Sequence, residues 1–159
     1  MNNPLISIIV NCHNGSKYLR QSLNSIFNQD YKKWEIIFVD NNSSDSSLKI
    51  VKNYDQKKIR IYFLNKKISL YKARNYALSK CKGEYISFLD TDDFWLDSKL
   101  SSQVELIKKK KYDIVYSNYY IKNYNFPYLK YIFSKKNLKS GYITEELLAN
   151  YNVGILTLI

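Results

Sequence analysis

The sequence predicts an α/β/α sandwich built on a mostly parallel central sheet. Three observations predict it. Short apolar runs alternate with segments whose apolar residues recur at helical spacing, the strand–helix–strand–helix order of a doubly wound sheet. The runs are apolar on successive rather than alternate residues, as in strands covered on both faces. Polar residues able to do chemistry, Asn11, Asp40 and Asp90, stand at the carboxyl ends of three of the runs, where ligands of parallel sheets bind.

Leu5 to Val10 is an apolar run with one serine and reads as the first buried strand. Asn14-Gly15-Ser16 supplies turn and capping chemistry. Leu19, Leu23, Ile26 and Phe27 then fall at i, i+4, i+7 and i+8, one face of a helix. Trp34 to Val39 is the second strand and ends at Asp40. Ser43-Ser44-Asp45 can cap a helix running to about Tyr54. Ile59 to Leu64 is the third strand. Ala73, Ala77, Leu78 and Cys81 mark one face of the next helix, closed by Lys82-Gly83, with the glycine suited to a left-handed C-terminal position. Tyr85 to Leu89 is the fourth strand. Leu100, Val104 and Ile107 line another helix, and Asp113 to Tyr120 reads as a fifth strand. Residues 124–140 interleave tyrosine, phenylalanine and lysine and read as a surface excursion packed by its own aromatics. A short helix from Ile143 to Asn150 and an apolar run from Val153 to Ile159, the beginning of a further strand, follow.

With 159 residues, 45% of them hydrophobic, the chain is long enough for one domain with a sizeable core. Its formal net charge of +11 suits phosphorylated ligands or a peripheral contact with an acidic membrane surface. The lysines keep company with many Asn, Ile and Tyr, all AT-rich codons, so much of the charge reads as compositional drift. No apolar run approaches the roughly 18–20 residues that span a bilayer. The start Met-Asn-Asn-Pro-Leu lacks the basic region of a signal peptide, so a cytoplasmic location is the default expectation. Cys12 and Cys81 have no metal-binding spacing and read as reduced, buried thiols. A single histidine, His13, excludes a His-rich zinc site. Asn11-Cys12-His13-Asn14-Gly15 stands where a dinucleotide or P-loop glycine motif would follow the first strand, and excludes both.

Residues 84–97 are the most informative stretch. An apolar run ends abruptly in Asp90, Asp92 and Asp93. Carboxylates beside a buried strand are costly unless something positive meets them. From an extended chain, Asp90 and Asp92 point the same way. Two hard oxygen ligands there suit a divalent cation that keeps positions open for phosphate. Carboxylates at strand ends also argue against a nucleic-acid-binding module.

Four segments occur in order: Ser7-Ile8-Ile9-Val10-Asn11-Cys12-His13-Asn14, Glu35 to Asp45, Ala73-Arg74-Asn75, and Leu89-Asp90-Thr91-Asp92-Asp93. Together they resemble the family 2 glycosyltransferases of the GT-A fold, a Rossmann-like sandwich, over roughly residues 5–120. The resemblance implies transfer of a sugar, with inversion, from a nucleotide-sugar, usually UDP-linked, to a saccharide or lipid-linked acceptor, using Mn²⁺ or Mg²⁺. It places Asn11, Cys12 and His13 around the nucleoside, with the His13 ring able to stack on the base. Asp40 resembles the aspartate that recognises base or ribose, with Asn42 nearby. Asp45 reads as a helix cap. Arg74 resembles the arginine that faces the donor; an ion pair with an acidic loop is its other reading. Asp90 and Asp92 match the Asp-x-Asp motif, Asp92 as the metal contact and Asp90 on ribose, metal or metal-bound water.

Two departures stand out. Tyr71 occupies the place of a glycine common before the Ala-Arg-Asn segment. Inverting enzymes also need a carboxylate base, and of the later acids Glu105, Asp113, Glu145 and Glu146 none resembles the family's base motif. Residues 1–159 therefore read as a single nucleotide-sugar-binding domain whose acceptor and catalytic-base part is missing. The alternative is a fragment that binds nucleotide-sugar or a partner without turnover.

Overall fold

The computed structural model describes residues 3–110, 112–122, 130–132, 138, 140–143, 145 and 154–159. Strands β1 (Ile6–Cys12), β2 (Trp34–Asp40), β3 (Ile59–Phe63) and β4 (Tyr85–Phe88) form a parallel sheet in the order β3-β2-β1-β4. Helices α1 (Leu19–Phe27), α2 (Ser47–Val51), α3 (Leu70–Leu78) and α4 (Lys99–Lys110) occupy the connections. The strand order steps outward from β1 to β3, then returns to the other side of β1. The switch point therefore lies between β1 and β4, where an open α/β sheet forms its ligand crevice.

β1 is central because its apolar residues serve both faces. Ile6, Ile8, Val10 and Cys12 join Ile36 and Phe38 of β2, Leu19, Leu23 and Ile26 of α1, and Leu100, Val104 and Ile107 of α4 in one core. Ile9 packs with Ile37, Val39 and Ala77 of α3 on the other side. Full burial of each large aliphatic side chain contributes about 1.5–3 kcal/mol, so β1 and β2 carry most of the sheet's stability. The α1 and α4 faces are as their spacing predicts. In α3, Ala73 and Ala77 are buried, but Leu78 is 37% exposed because the helix ends there.

Other expectations are corrected. The second helix stops at Val51, three residues short of Tyr54. Residues 113–119 are not a strand. Ile114 is 58% exposed, and Val115 alone is buried, exchanging two 2.9 Å backbone hydrogen bonds with Ile159. A short apolar pair mimicked a strand's pattern there. β5 (Tyr120–Lys122) begins where the expected strand ends and pairs antiparallel with β6 (Lys130–Ile132). The closing run contains a 3₁₀ turn at Ile155–Thr157. Most of the expected helix from Ile143 to Asn150 and most of residues 124–140 lie outside the described residues.

Gly83 does not adopt the left-handed conformation; the positive-φ glycine among the described residues is Gly141. Gly83 is required for close approach. A Cβ there would lie 2.5 Å from Ser7 N and 2.7 Å from Leu5 O. The Gly83 N–H donates to Ser7 Oγ at 2.8 Å, and Ser7 Oγ donates to Glu35 Oε1 at 2.7 Å. This joint seats β4 against β1 at the end of the sheet opposite the polar strand ends.

Among the described residues no helix is long and apolar enough to cross a membrane. Lys99, at the start of α4, places its ammonium 4.0 Å from the Trp95 ring centroid, and burial pushes its pKa down to about 7. The folded chain therefore releases this proton above about pH 7, whereas the unfolded chain holds it to about 10.5. Stability from this group rises with pH between those values and is flat below them. Burial holds the cysteine thiols above their ordinary value of 9.0, which works in the opposite sense near that pH. The check is the difference between parent and Lys99→Met. Urea unfolding should show the parent gaining about 2 kcal/mol relative to the variant from pH 7 to 9. Parallel pH profiles for the two proteins would refute it.

Candidate functional site

The carboxyl ends of β1, β2 and β4 carry three loops, stitched together by side chains that sequence reasoning largely overlooked. Asn41, directly after β2, is buried and acts as a backbone substitute. Its Nδ2 donates to Ile68 O at 2.8 Å, and its Oδ1 accepts from Ile68 N at 2.9 Å. Asn41 N donates to Cys12 O at 2.7 Å, closing β1 onto β2. A buried amide just past an apolar strand was the available signal. Asn14 N, Gly15 N and Ser16 N donate to Ser43 Oγ, Ser47 Oγ and Asp45 Oδ2 at 2.9–3.0 Å. These three N–H groups are therefore spent within the protein rather than offered to a phosphate.

Asp45 also accepts from Ser47 N, the first residue of α2, at 2.9 Å, but the N-cap of that helix is Ser46, so Asp45 braces the turn entering the helix rather than capping it. Burial disfavours its charge, but hydrogen bonds from Ser47 and Ser16 outweigh that and hold its carboxyl far below the usual range. Asn14 and Asn42 take left-handed φ values of 56° and 60°, which asparagine tolerates better than most residues. Asn42 is exposed at the tip of the turn that Asp40 closes by accepting Ser43 N at 3.0 Å.

Asp40 is only 3% exposed, and its second oxygen, Oδ1, is buried without a hydrogen-bond partner. Asn11 Oδ1, on the neighbouring strand, is likewise buried and unpartnered. An unsatisfied buried acceptor costs about 1–3 kcal/mol, so both oxygens favour a ligand that donates. Cys12 turns its thiol into the core, and burial pushes its pKa up, as expected of a structural cysteine. His13 is exposed and holds its ring by Nδ1 against Asn41 O at 2.9 Å. A carbonyl only accepts, so Nδ1 donates in this bond.

The acidic loop departs from the extended geometry. Asp93 N donates to Asp90 O at 3.1 Å, making residues 90–93 a turn. Thr91 packs onto Gly15, where a Cβ would lie 2.9 Å from Thr91 Oγ1. The first loop is thus shaped to receive the acidic one. Arg74 Nη2 donates to both Asp90 oxygens, at 2.8 and 3.1 Å, and its guanidinium lies 5.8 Å from the Phe88 ring centroid. Both readings of Arg74 meet here: it pairs with the acidic loop and stands at the candidate site. Asp92 is exposed and makes no hydrogen bond or ion pair among the described residues. Burial first, then the charges of Asp92 and Asp90, push the Asp93 carboxyl up to about 6.

The loop therefore holds more negative charge than Arg74 balances, which suits a cation. Among the described residues no three His, Cys, Asp or Glu converge to cage a metal. The donor set fits an ion held by one or two carboxylates whose remaining positions go to water and phosphate, the preference of Mg²⁺.

Comparison with known proteins gives the same direction. A family model described as glycosyl transferase family 2 matches residues 7–157. The chain is 32% identical, over its whole length, to WfgD of Escherichia coli, a UDP-Glc:alpha-D-GlcNAc-diphosphoundecaprenol beta-1,3-glucosyltransferase, and spans 61% of it. It is 29% identical over 98% of its length to TuaG of Bacillus subtilis, a putative teichuronic acid biosynthesis glycosyltransferase, and spans 62% of that protein. The crystal structure of S. aureus TarS 1-349 in complex with UDP superposes with a TM-score of 0.66 and 33% identity, covering 69% of this chain and 33% of that one. The chain thus spans 61–62% of these two relatives and a third of the solved structure. A match over nearly every residue, on a parallel sheet whose strand ends carry Asp40, Arg74 and the Asp90–Asp93 turn, means that the chain belongs to glycosyl transferase family 2.

Proposed function

We propose that this chain is the donor-binding part of a glycosyltransferase that takes a sugar from a nucleotide-sugar, UDP-linked, and passes it with inversion to a saccharide or lipid-linked acceptor. The observation that carries the reading is the buried, unpartnered Asp40 Oδ1, at the same end of the sheet as the exposed Asp92. A uracil ring or ribose hydroxyl presents the donor that Asp40 Oδ1 lacks. Asn11 Oδ1 accepts a second bond, Asn42 borders the nucleoside, and the His13 ring offers a face to the base. Cys12 contributes through its carbonyl, which fixes Asn41, rather than through its thiol. Arg74, with only Nη2 engaged by Asp90, keeps N–H groups for the diphosphate. Asp92 is the residue that would hold Mn²⁺ or Mg²⁺, and Asp90 would face the ribose or water on the ion. When bound, that ion offsets charge on the departing diphosphate.

Transfer also needs a carboxylate to take the acceptor's proton. Glu105 is paired with Lys109 on the exposed face of α4, and Asp113 and Glu145 are exposed. The reading assigns the base, with most of the acceptor site, to the part of the longer relatives that this chain does not span.

Calorimetry of UDP binding, with Mn²⁺ and with chelator, tests the proposal: binding should require the ion, and equal affinity in both conditions would refute it. Asp40→Asn should weaken UDP binding by about 1–3 kcal/mol, because an amide supplies only part of the acceptor capacity of a carboxylate. A change below about 0.3 kcal/mol, small on the same scale, would place Asp40 outside the site.

A further inference from the structure

Three consecutive carbonyls near the end of the chain are received by side chains from β4, the stretch after the acidic loop and α4. Trp95 Nε1 donates to Leu156 O at 3.1 Å, and Gln103 Nε2 to Thr157 O at 2.6 Å. Leu158 O accepts from Ser87 Oγ at 2.5 Å and from Lys99 Nζ at 3.3 Å. Lys99 Nζ also donates to Gln103 Oε1 at 2.8 Å and Ser87 Oγ at 3.1 Å, so its three protons are all placed. Trp95 and Gln103 are 4% and 3% exposed. Trp95 is held in turn by its own N–H on Ser25 Oγ at 3.0 Å. The network is closed: each of these donors has an acceptor, and none of the bonds reads the side chain of residues 156–158.

Such a network is a poor way to gain stability. A buried ammonium is expensive, and apolar residues of the same volume often serve a core as well or better. What it does supply is a unique geometry. It ties residues 156–158 to the stretch directly after Asp93, and both border a cavity of about 450 Å³ that opens onto Asp92 and Asp93 and is also lined by Asn118 and Tyr119.

We propose that Trp95, Lys99 and Gln103 are positioning residues that clamp the 156–158 backbone to the acidic loop and so set where Asp92 stands. This rests on the donor-binding reading above. In this role the three act through the loop rather than on the nucleotide. Partners of this outer kind typically change metal affinity 10–100-fold.

The test uses the chain in a Trp34→Phe background, which leaves Trp95 as the fluorescent reporter. Gln103→Leu and Lys99→Met should melt below the parent, because each strips a buried acceptor of a donor, yet stay folded at the temperature of the assay and bind UDP with Mn²⁺ about 10–100-fold more weakly. Trp95 emission should shift when Mn²⁺ and UDP are added to the parent and stay unchanged in Gln103→Leu. Should Gln103→Leu fail to fold, Trp95→Phe, which keeps an aromatic ring of smaller size and removes the indole N–H, is the second variant, and its loss of affinity, read against the parent, decides the matter. A parent that binds, with folded variants that bind equally well, overturns the clamp alone. A parent that binds no UDP with either ion overturns the donor-binding reading and the clamp with it.

Discussion

Asp92→Ala should leave the fold intact and remove the ion-dependent part of UDP binding, a loss of about 100-fold or more. Outer-shell partners of a metal already contribute 10–100-fold, and a direct ligand lies at or beyond the upper end of that range. The fold should survive because Asp92 is exposed in a turn and holds no hydrogen bond or ion pair among the described residues. Removing one negative charge from beside Asp93 should also let the Asp93 carboxyl fall from about 6 toward its ordinary value. Calorimetry gives the affinity, and a carboxyl-selective NMR titration gives the shift. Asp90→Ala is the contrasting variant, since it frees Arg74 of its partner and disturbs the loop as well as the ligand. An Asp92→Ala protein that binds UDP as tightly as the parent, with the same response to chelator, would remove Asp92 from the site.

Gly83→Ala should destabilise the protein by about 3 kcal/mol or more, at the upper end of what overpacking a tight interior costs. The added methyl would meet Ser7 N at 2.5 Å and Leu5 O at 2.7 Å, both backbone atoms of the strand entering the centre of the sheet. Neither can rotate away. Relief would require β4 to move off β1, breaking the Gly83 N–H bond to Ser7 Oγ and the Tyr85 N–H bond to Leu5 O. Urea unfolding measures the effect. A midpoint near the parent's, at unchanged slope, would mean that the joint yields more easily than its geometry implies. Because β4 leads directly to Asp90, a folded Gly83→Ala protein should also show weaker Mn²⁺-dependent UDP binding.

The polar ends of the sheet were legible because burial leaves so few explanations for them. Asn11, Asp40 and Asp90 each close an apolar strand, and a polar side chain at that place is either paired or functional. The helix faces of α1 and α4 were legible for a similar reason: Leu19, Leu23 and Ile26, and Leu100, Val104 and Ile107, repeat over enough turns to exclude other readings. Where only one or two residues carried the pattern it failed. Ile114-Val115 resembled a strand, yet only Val115 is buried. Gly83 carried the signature of a helix cap and is instead a contact between backbones.

The parallel α/β architecture, the family and the carboxylates gathered at one end of the sheet can be read from the chain directly, because hydrophobic periodicity and short ordered motifs act over a few residues at a time. How those groups are used depends on residues that meet when the chain folds. Folding bent residues 90–93 into a turn, paired Arg74 with Asp90, left Asp40 Oδ1 without a partner, and joined Trp95, Lys99 and Gln103 to carbonyls more than fifty residues away. Hydrogen bonds to backbone carbonyls depend on position and not on the identity of the accepting residue. They therefore leave no pattern in the segment they hold, and no reading of residues 156–158 alone could have found them.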